Sequence, residues 1–184
     1  MKLLKWILPG VALAAVIGNG CIITSTQVLT HFSLTNPIHI IPPGTPMFTE
    51  VVDLNTIKDY ADNKDKLGGL SDVAVVGTFT NLVGPAGGVE IWITPGVGTA
   101  STIATAKLGS TLLWGPGSIA AAPSTRTVNW NDSATLFNDA GKKILIDAMK
   151  GAGVFTVYIF PSGAAGNTID IVNGAIILVI AAGV

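Results

Sequence analysis

Ser71-Asp-Val-Ala-Val-Val-Gly-Thr-Phe-Thr-Asn-Leu-Val-Gly-Pro-Ala-Gly-Gly-Val-Glu-Ile-Trp-Ile-Thr94 is the stretch that decides the fold class. From Ser71 to Val83 it is rich in Val, Thr and Phe, side chains that fit a pleated surface, with Gly77 as a candidate bulge or bend. Gly84-Pro85-Ala86-Gly87-Gly88 then reads as a turn. Val89 to Thr94 alternates, with Val89, Ile91 and Ile93 on one side and Glu90 and Trp92 on the other. The period is two, so this is sheet.

Toward the C-terminus, Thr125 to Trp130 reads as a strand and Asn131-Asp132-Ser133 as a turn or cap. A helix is expected over Asp139 to Lys150, burying Ile144, Leu145, Ala148 and Met149. Val154 to Phe160 is a strand, Pro161 to Gly166 its loop, and Ile169 to Ala182 one or two closing strands around Asn173-Gly174. The closing run Ala175-Ile-Ile-Leu-Val-Ile180 is apolar on both faces. Such a strand is either central and covered on both sides, or has a face or an edge that is buried only by a neighbouring subunit. Pro95 to Pro123 is the least legible region, with short strands expected at Ser101 to Leu108 and Thr111 to Trp114.

Toward the N-terminus, Thr56-x-x-Asp59 fits a capping box, and Ile57, Tyr60, Ala61, Lys64 and Leu67 fall at helical spacing before Gly68-Gly69. Met47 to Leu54 precedes it as a strand. Pro42-Pro43-Gly44-Thr45-Pro46 and Asn36-Pro37 break the chain, and Val28 to Leu34 is a first strand. About eight strands with turns between them predict an all-β, antiparallel β-sandwich, immunoglobulin-like or jelly-roll, with two short helices on connections.

Composition agrees. Only 11% of residues are charged while 49% are hydrophobic and 22 are Gly, which excludes a disordered chain. The first residues form a leader: Lys2 and Lys5, then an apolar run from Trp6 to Ile17, then Gly18-Asn19-Gly20. The run is too short for a bilayer-spanning helix and is interrupted by Pro9-Gly10. With two of the ten basic residues in the leader, eight remain against eleven acidic ones, a net charge of −3. That balance has no basic stripe for nucleic acid.

Cys21, the only cysteine, follows the small residues directly, so no internal disulfide forms. Its setting resembles the lipobox of bacterial lipoproteins, with Gly18 where that pattern carries an aliphatic residue and with Asn19 after it. Gly18 and Gly20 also satisfy an ordinary signal-peptidase site, so simple secretion stays open. The expected organisation is a signal peptide at 1–20, a lipid-anchor tether at 21–27 and a sandwich domain at 28–184.

The pattern Val51-Val-Asp-Leu54, a short polar helix, Lys66-Leu67, then Val73-Ala-Val-Val-Gly-Thr-Phe79 resembles a loosely defined group of uncharacterised bacterial envelope lipoproteins with a β-sandwich domain. In that group a similar strand–helix–strand precedes a long antiparallel pair. The resemblance implies a fold and a location in the cell envelope, membrane-anchored and facing the periplasm or the cell exterior. It carries over no functional residues.

No catalytic set emerges, and neither a cofactor nor a metal site is expected. His31 and His39 are two ligands where zinc needs three or four. No Gly-x-Ser-x-Gly elbow occurs. Asp53, Asp59, Asp62, Asp65 and Asp72, with Asn55 and Asn63, offer oxygens to calcium, yet Lys64 and Lys66 stand at ligand positions of an EF-hand loop. A solvated helix face is the plainer reading. Trp92 beside Glu90, and Trp114 and Trp130 on loop edges, are the candidate contacts for a ligand or partner, because an exposed indole stacks on a sugar ring. The alternative for all three tryptophans is packing between sheets or under loops. The expectation is a non-enzymatic, lipid-anchored envelope protein that contacts the membrane through Cys21 and other envelope proteins or copies of itself. A carbohydrate-binding or adhesive module with a glycan partner is the alternative.

Overall fold

The computed structural model describes residues 22–24, 27–42, 44, 46–163 and 166–182. They form ten strands: β1 (Ile22–Thr24), β2 (Gln27–Ser33), β3 (Ile38–Ile40), β4 (Phe48–Asp53), β5 (Leu67–Val83), β6 (Gly87–Pro95), β7 (Thr111–Ile119), β8 (Ser124–Val128), β9 (Val154–Gly163) and β10 (Thr168–Ala182). Four helices lie between them: α1 (Lys58–Asn63), α2 (Ile103–Gly109), α3 (Trp130–Ala134) and α4 (Asp139–Lys150). One sheet has six strands in the order β1-β2-β10-β5-β8, with β3 also paired to β10. The other has four, β4-β9-β6-β7, and the pairings in both are antiparallel. The architecture is the expected β-sandwich.

Alternation explains the core. Ile176, Leu178 and Ile180 of β10, Val73 and Val75 of β5 and Phe32 of β2 are buried in one cluster with Ile91, Ile93, Phe155, Val157 and Ile159 of the four-stranded sheet. Phe32 and Phe155 meet edge to face at 5.6 Å between ring centroids, joining the two layers. Each such side chain contributes about 1.5–3 kcal/mol on burial. The α4 helix begins where expected, its first amides bonded to the Asn138 side chain at 3.0 and 3.3 Å. It buries Gly141, Leu145, Ala148 and Met149. Gly141 is required there, because a Cβ would lie 2.2 Å from the Leu112 carbonyl oxygen.

Several expectations are corrected. The two long strands of the deciding stretch do not pair with each other: β5 belongs to the six-stranded sheet and β6 to the four-stranded one. The turn between them is a corner, held by Asn81 Nδ2 donating to the carbonyls of Pro85 and Ala120, each at 3.0 Å, and by Asn167 Nδ2 donating to Pro85 at 2.8 Å. Gly84 takes the corner at φ +114°, a conformation suited to glycine. Where a strand is expected over residues 101–108, the chain forms helix α2 (Ile103–Gly109) instead. Its cap is a reciprocal box of Thr102 and Thr105, with both threonines at hydroxyl-bond distance. Asn131 to Ser133 lies within α3. The Thr56 box does not form: Ile57 occupies the cap of α1 without a side-chain bond, and Asp53 caps the preceding 3-10 turn instead. The two expected helices are therefore joined by two more.

The closing segment is the single strand β10, bent at Asn173 (φ 55°), where its register with β5 shifts between Val172 and Ala175. It is paired on both edges, by β2 and β3 on one side and β5 on the other. An edge completed by a neighbouring subunit is excluded for this strand.

Candidate functional site

Glu90 and Trp92 point away from the main core, as their alternation requires, but into a second, smaller one. Ala106, Tyr158 and Phe160 are buried there, with Met47, Trp92, Ala100 and Ile103 packed around them. Helix α2 and its approach loop cover this outer face of the four-stranded sheet. The Trp92 ring stacks on Phe160 at 6.2 Å, and the Lys107 ammonium lies 5.3 Å from the Trp92 centroid. Glu90 Oε2 accepts from Trp92 Nε1 at 2.8 Å and pairs with Lys107 at 2.9 Å. Glu90 and Lys107 thus clasp α2 to the sheet, with the indole between. Lys107 could not be picked out from the sequence, because its partner lies on a strand seventeen positions earlier and α2 itself was hidden.

Trp114 is not on a loop edge; it is fully buried. The Gly115-Pro116-Gly117 segment that suggested a loop is a bulge inside β7, where Val89 pairs with Gly117 and Ile91 with Trp114. Gly117 leaves the space that the indole fills, since a Cβ there would fall 2.4 Å from the ring. Trp114 stacks on Phe79 at 5.9 Å, and its Nε1 donates to the oxygens of Ser133, 3.0 Å to Oγ and 3.2 Å to the carbonyl. Trp130 is half-buried at the start of α3, its Nε1 donating to Asp72 Oδ2 at 3.1 Å. The three tryptophans therefore occupy three separate places and do not make one platform.

The outer face of the six-stranded sheet differs from that of its partner. Leu29 of β2, Val76 of β5 and Ala175, Ile177, Val179 and Ala181 of β10 all keep partial exposure, and neither core includes them. They are neighbours by register: Leu29 and Asp72 flank Val179, His31 and Ala74 flank Ile177, and Ser33 and Val76 flank Ala175. Beyond the bend at Asn173 the same face turns polar. Thr78, Thr80, Thr125 and Thr127 lie there, with His39 Nδ1 and Asp170 Oδ1 2.7 Å apart across β3 and β10. Neither half is uniform: Asp72, His31 and Ser33 stand among the apolar residues of the first, and the exposed Val172 stands beside Thr78 in the second.

A cleft of about 380 Å³ opens between the 94–101 segment and α2. Thr94, Thr99, Ser101, Thr105 and Ser110 line it, with no carboxylate or ammonium among the lining residues. Val97 (70% exposed) lines the cleft and Leu108 (88% exposed) precedes its lining residue Gly109, adding apolar surface to a hydroxyl-rich opening.

The acidic cluster is dispersed into local roles. Asp53 accepts from Asn55 N at 2.9 Å, Asp62 pairs with Lys58, and Asp72 accepts from Trp130. Among the described residues no group of three His, Cys, Asp or Glu side chains is arranged to hold a metal. Glu50 on β4 accepts from Thr35 N at 3.2 Å; burial raises its carboxyl above the ordinary range, and that amide bond partly offsets the rise. Cys21 and the leader lie outside the described residues, and no helix among those described is long and apolar enough to cross a membrane. The chain is already in β1 at Ile22, so much of the expected 21–27 tether is a hairpin arm paired to β2.

No family model, curated protein or solved structure matches this chain.

Proposed function

We propose that this protein is a lipid-anchored, non-enzymatic component of the bacterial cell envelope that works by contact with a membrane surface, other envelope proteins or copies of itself. The observation that carries this reading is the leader ending at Gly18-Asn19-Gly20-Cys21, followed at once by a folded β-domain. A thiol acylated at that position holds the domain at a bilayer, each buried methylene adding about 0.8 kcal/mol. The polar side chains singled out from the sequence support a contact role, because Glu90, Asp53, Asp72 and Trp114 are engaged in bonds that hold the fold. Expression of the full chain, with mass spectrometry of the peptide containing Cys21, is the test. Diacylglycerol on Cys21, with Cys21→Ser lost from the membrane fraction, supports the reading. An unmodified Cys21 in an uncleaved chain refutes it.

The second reading, a glycan-binding surface module, is favoured by the uncharged, hydroxyl-lined cleft beside α2. Sugars present both hydroxyls and apolar C–H faces, and the cleft offers hydroxyls beside Val97. Binding on a glycan array that is lost in Thr99→Val together with Ser101→Ala would support this reading; an array without binding removes it.

A further inference from the structure

We propose that the cleft beside α2 holds one uncharged sugar ring, the terminal unit of a neutral glycan, and that the Tyr158 hydroxyl at its floor donates the hydrogen bond that orients this ring. The inference rests on the glycan-binding reading of the cleft and adds the charge and size of the ligand and the residue that positions it. Three observations converge here: a buried hydroxyl proton without an acceptor, free hydroxyls around it, and a lining without charge.

Thr156 and Tyr158 stand two apart on β9, and each receives an amide of the segment that leads from β6 to α2. Thr156 Oγ1 accepts from Gly98 N at 2.7 Å and donates to the Gly96 carbonyl at 2.8 Å, so its hydroxyl is used both as acceptor and as donor. Tyr158 Oη accepts from Ala100 N at 3.3 Å, and no described residue accepts its proton. Tyr158 is 1% exposed, which makes it the deepest of the residues lining the cleft. A buried tyrosine O–H normally has an acceptor, so one left open at the bottom of a cleft marks where the acceptor of a ligand belongs. Gly98 fixes the place of that hydroxyl, because a Cβ there would lie 1.9 Å from Oη.

Around Tyr158, the hydroxyls of Thr94, Thr99, Ser101 and Ser110 line the cleft without a hydrogen-bond partner among the described residues, whereas that of Thr105 is held in the α2 cap. A free hydroxyl both donates and accepts, as the hydroxyls of a sugar do. Val97 sets an apolar side chain beside them for the C–H face of a ring. No lining residue is charged, so the carboxylate of a uronic acid or the ammonium of an amino sugar would lose water without gaining a counter-charge. The cleft's volume of about 380 Å³ lies near the lower end of the roughly 300–1,000 Å³ of small-molecule sites. It has room for a ring rather than for a long chain laid along the surface.

The test titrates the full chain, isotopically labelled for amide NMR, with the methyl glycosides of glucose, galactose, mannose and N-acetylglucosamine, and with glucuronic acid and glucosamine as charged counterparts. The expected result is a saturable shift of the Ala100 amide, whose acceptor is Tyr158, with at least one neutral glycoside and with neither charged sugar. Tyr158→Phe is expected to weaken that binding by about 3- to 10-fold, read at the amides of Gly98 and Ser110, with the rest of the spectrum in place. Should Tyr158→Phe fail to fold, the parent decides alone: a bound sugar that leaves the Ala100 amide unmoved overturns the inference. Binding unchanged in Tyr158→Phe, or a charged sugar bound as tightly as its neutral counterpart, overturns this inference and leaves the glycan reading standing. A glycan bound on the array but by none of these single rings does the same. No response to any of these sugars, together with an array without binding, removes both.

Discussion

Replacing Ser133 by alanine removes one hydroxyl oxygen and leaves two donors short of it. Ser133 is fully buried, and its Oγ accepts from Val75 N at 2.7 Å and from Trp114 Nε1 at 3.0 Å. Trp114 retains the Ser133 carbonyl at 3.2 Å, so its loss is partial. Val75 has no such second acceptor, because β8 pairs with β5 only from Gly77 onward and α3 takes its place at this edge. A buried donor left unpaired costs about 1–3 kcal/mol. Adding the weakened indole bond, Ser133→Ala is expected to destabilise by about 2–3 kcal/mol. At about 2–4 °C per kcal/mol for a domain of this size, the melting temperature falls by roughly 4–12 °C. Urea unfolding followed by tryptophan fluorescence measures the first quantity, and hydrogen exchange at the Val75 amide locates it. Trp114→Phe removes the indole donor, so the double variant separates the two shares. A coupling of about 0.5–1 kcal/mol between the substitutions is expected, with most of the Ser133 effect persisting. A loss below about 0.5 kcal/mol, with the Val75 amide still protected from exchange, would refute the assignment of Ser133 as the acceptor that finishes this edge.

Three further outcomes follow from other sites. Gly141→Ala gains about 1 kcal/mol of helix propensity, yet the added methyl meets the backbone at Leu112 and Leu113, so net destabilisation of about 1–3 kcal/mol is expected in urea unfolding. Glu50 has a folded-state carboxyl raised by burial above its ordinary value of 4.5, so its contribution is present below that value and lost as pH rises through the raised one. Glu50→Gln is therefore expected to leave the melting temperature unchanged at acidic pH and to raise it near neutrality; a variant less stable than the parent at neutral pH contradicts this. Lys107→Met removes the ammonium that pairs with Glu90 and lies over Trp92 and Phe160. With Lys107 partly exposed, the expected cost is about 0.5–1 kcal/mol. It should come with a changed Trp92 emission and faster proteolysis near α2, while the main core unfolds as before.

The parts of the fold legible in the sequence are those in which one period runs for several turns or pleats. Val89 to Thr94, Val154 to Phe160 and Asp139 to Lys150 declare themselves this way. Alternation reports that two sides differ, but not that the second side is also a core. The alternation sets Glu90 and Trp92 opposite Ile91, yet carries no sign of the helix that covers them. Thr102 and Thr105 form a capping box without the usual acid or amide, and the threonines of α2 resemble strand residues. Trp114 misleads for a related reason: Gly-Pro-Gly marks loops in general, and here it is a bulge whose missing side chains make room for a buried ring. The corner at Gly84 reads only as a turn, because nothing local records that Asn81 and Asn167 hold it where β6 passes to the other sheet. Of the candidate site, residues 175–180 were visible as a two-faced apolar run. Their division into a buried row and an outward row needed the register with β2 and β5.

The central place of β10 has a consequence for how the molecule comes into being. β2 and β5 flank a gap in the six-stranded sheet that only residues 168–182 fill, more than eighty positions after β5 ends. Until those residues are available, β2 has only β1 beside it and β5 only β8, and one wall of the main core lacks its middle strand. Contacts so distant in sequence form slowly. A chain with this strand order stays open while it emerges from a ribosome, and closes only when its last strand arrives.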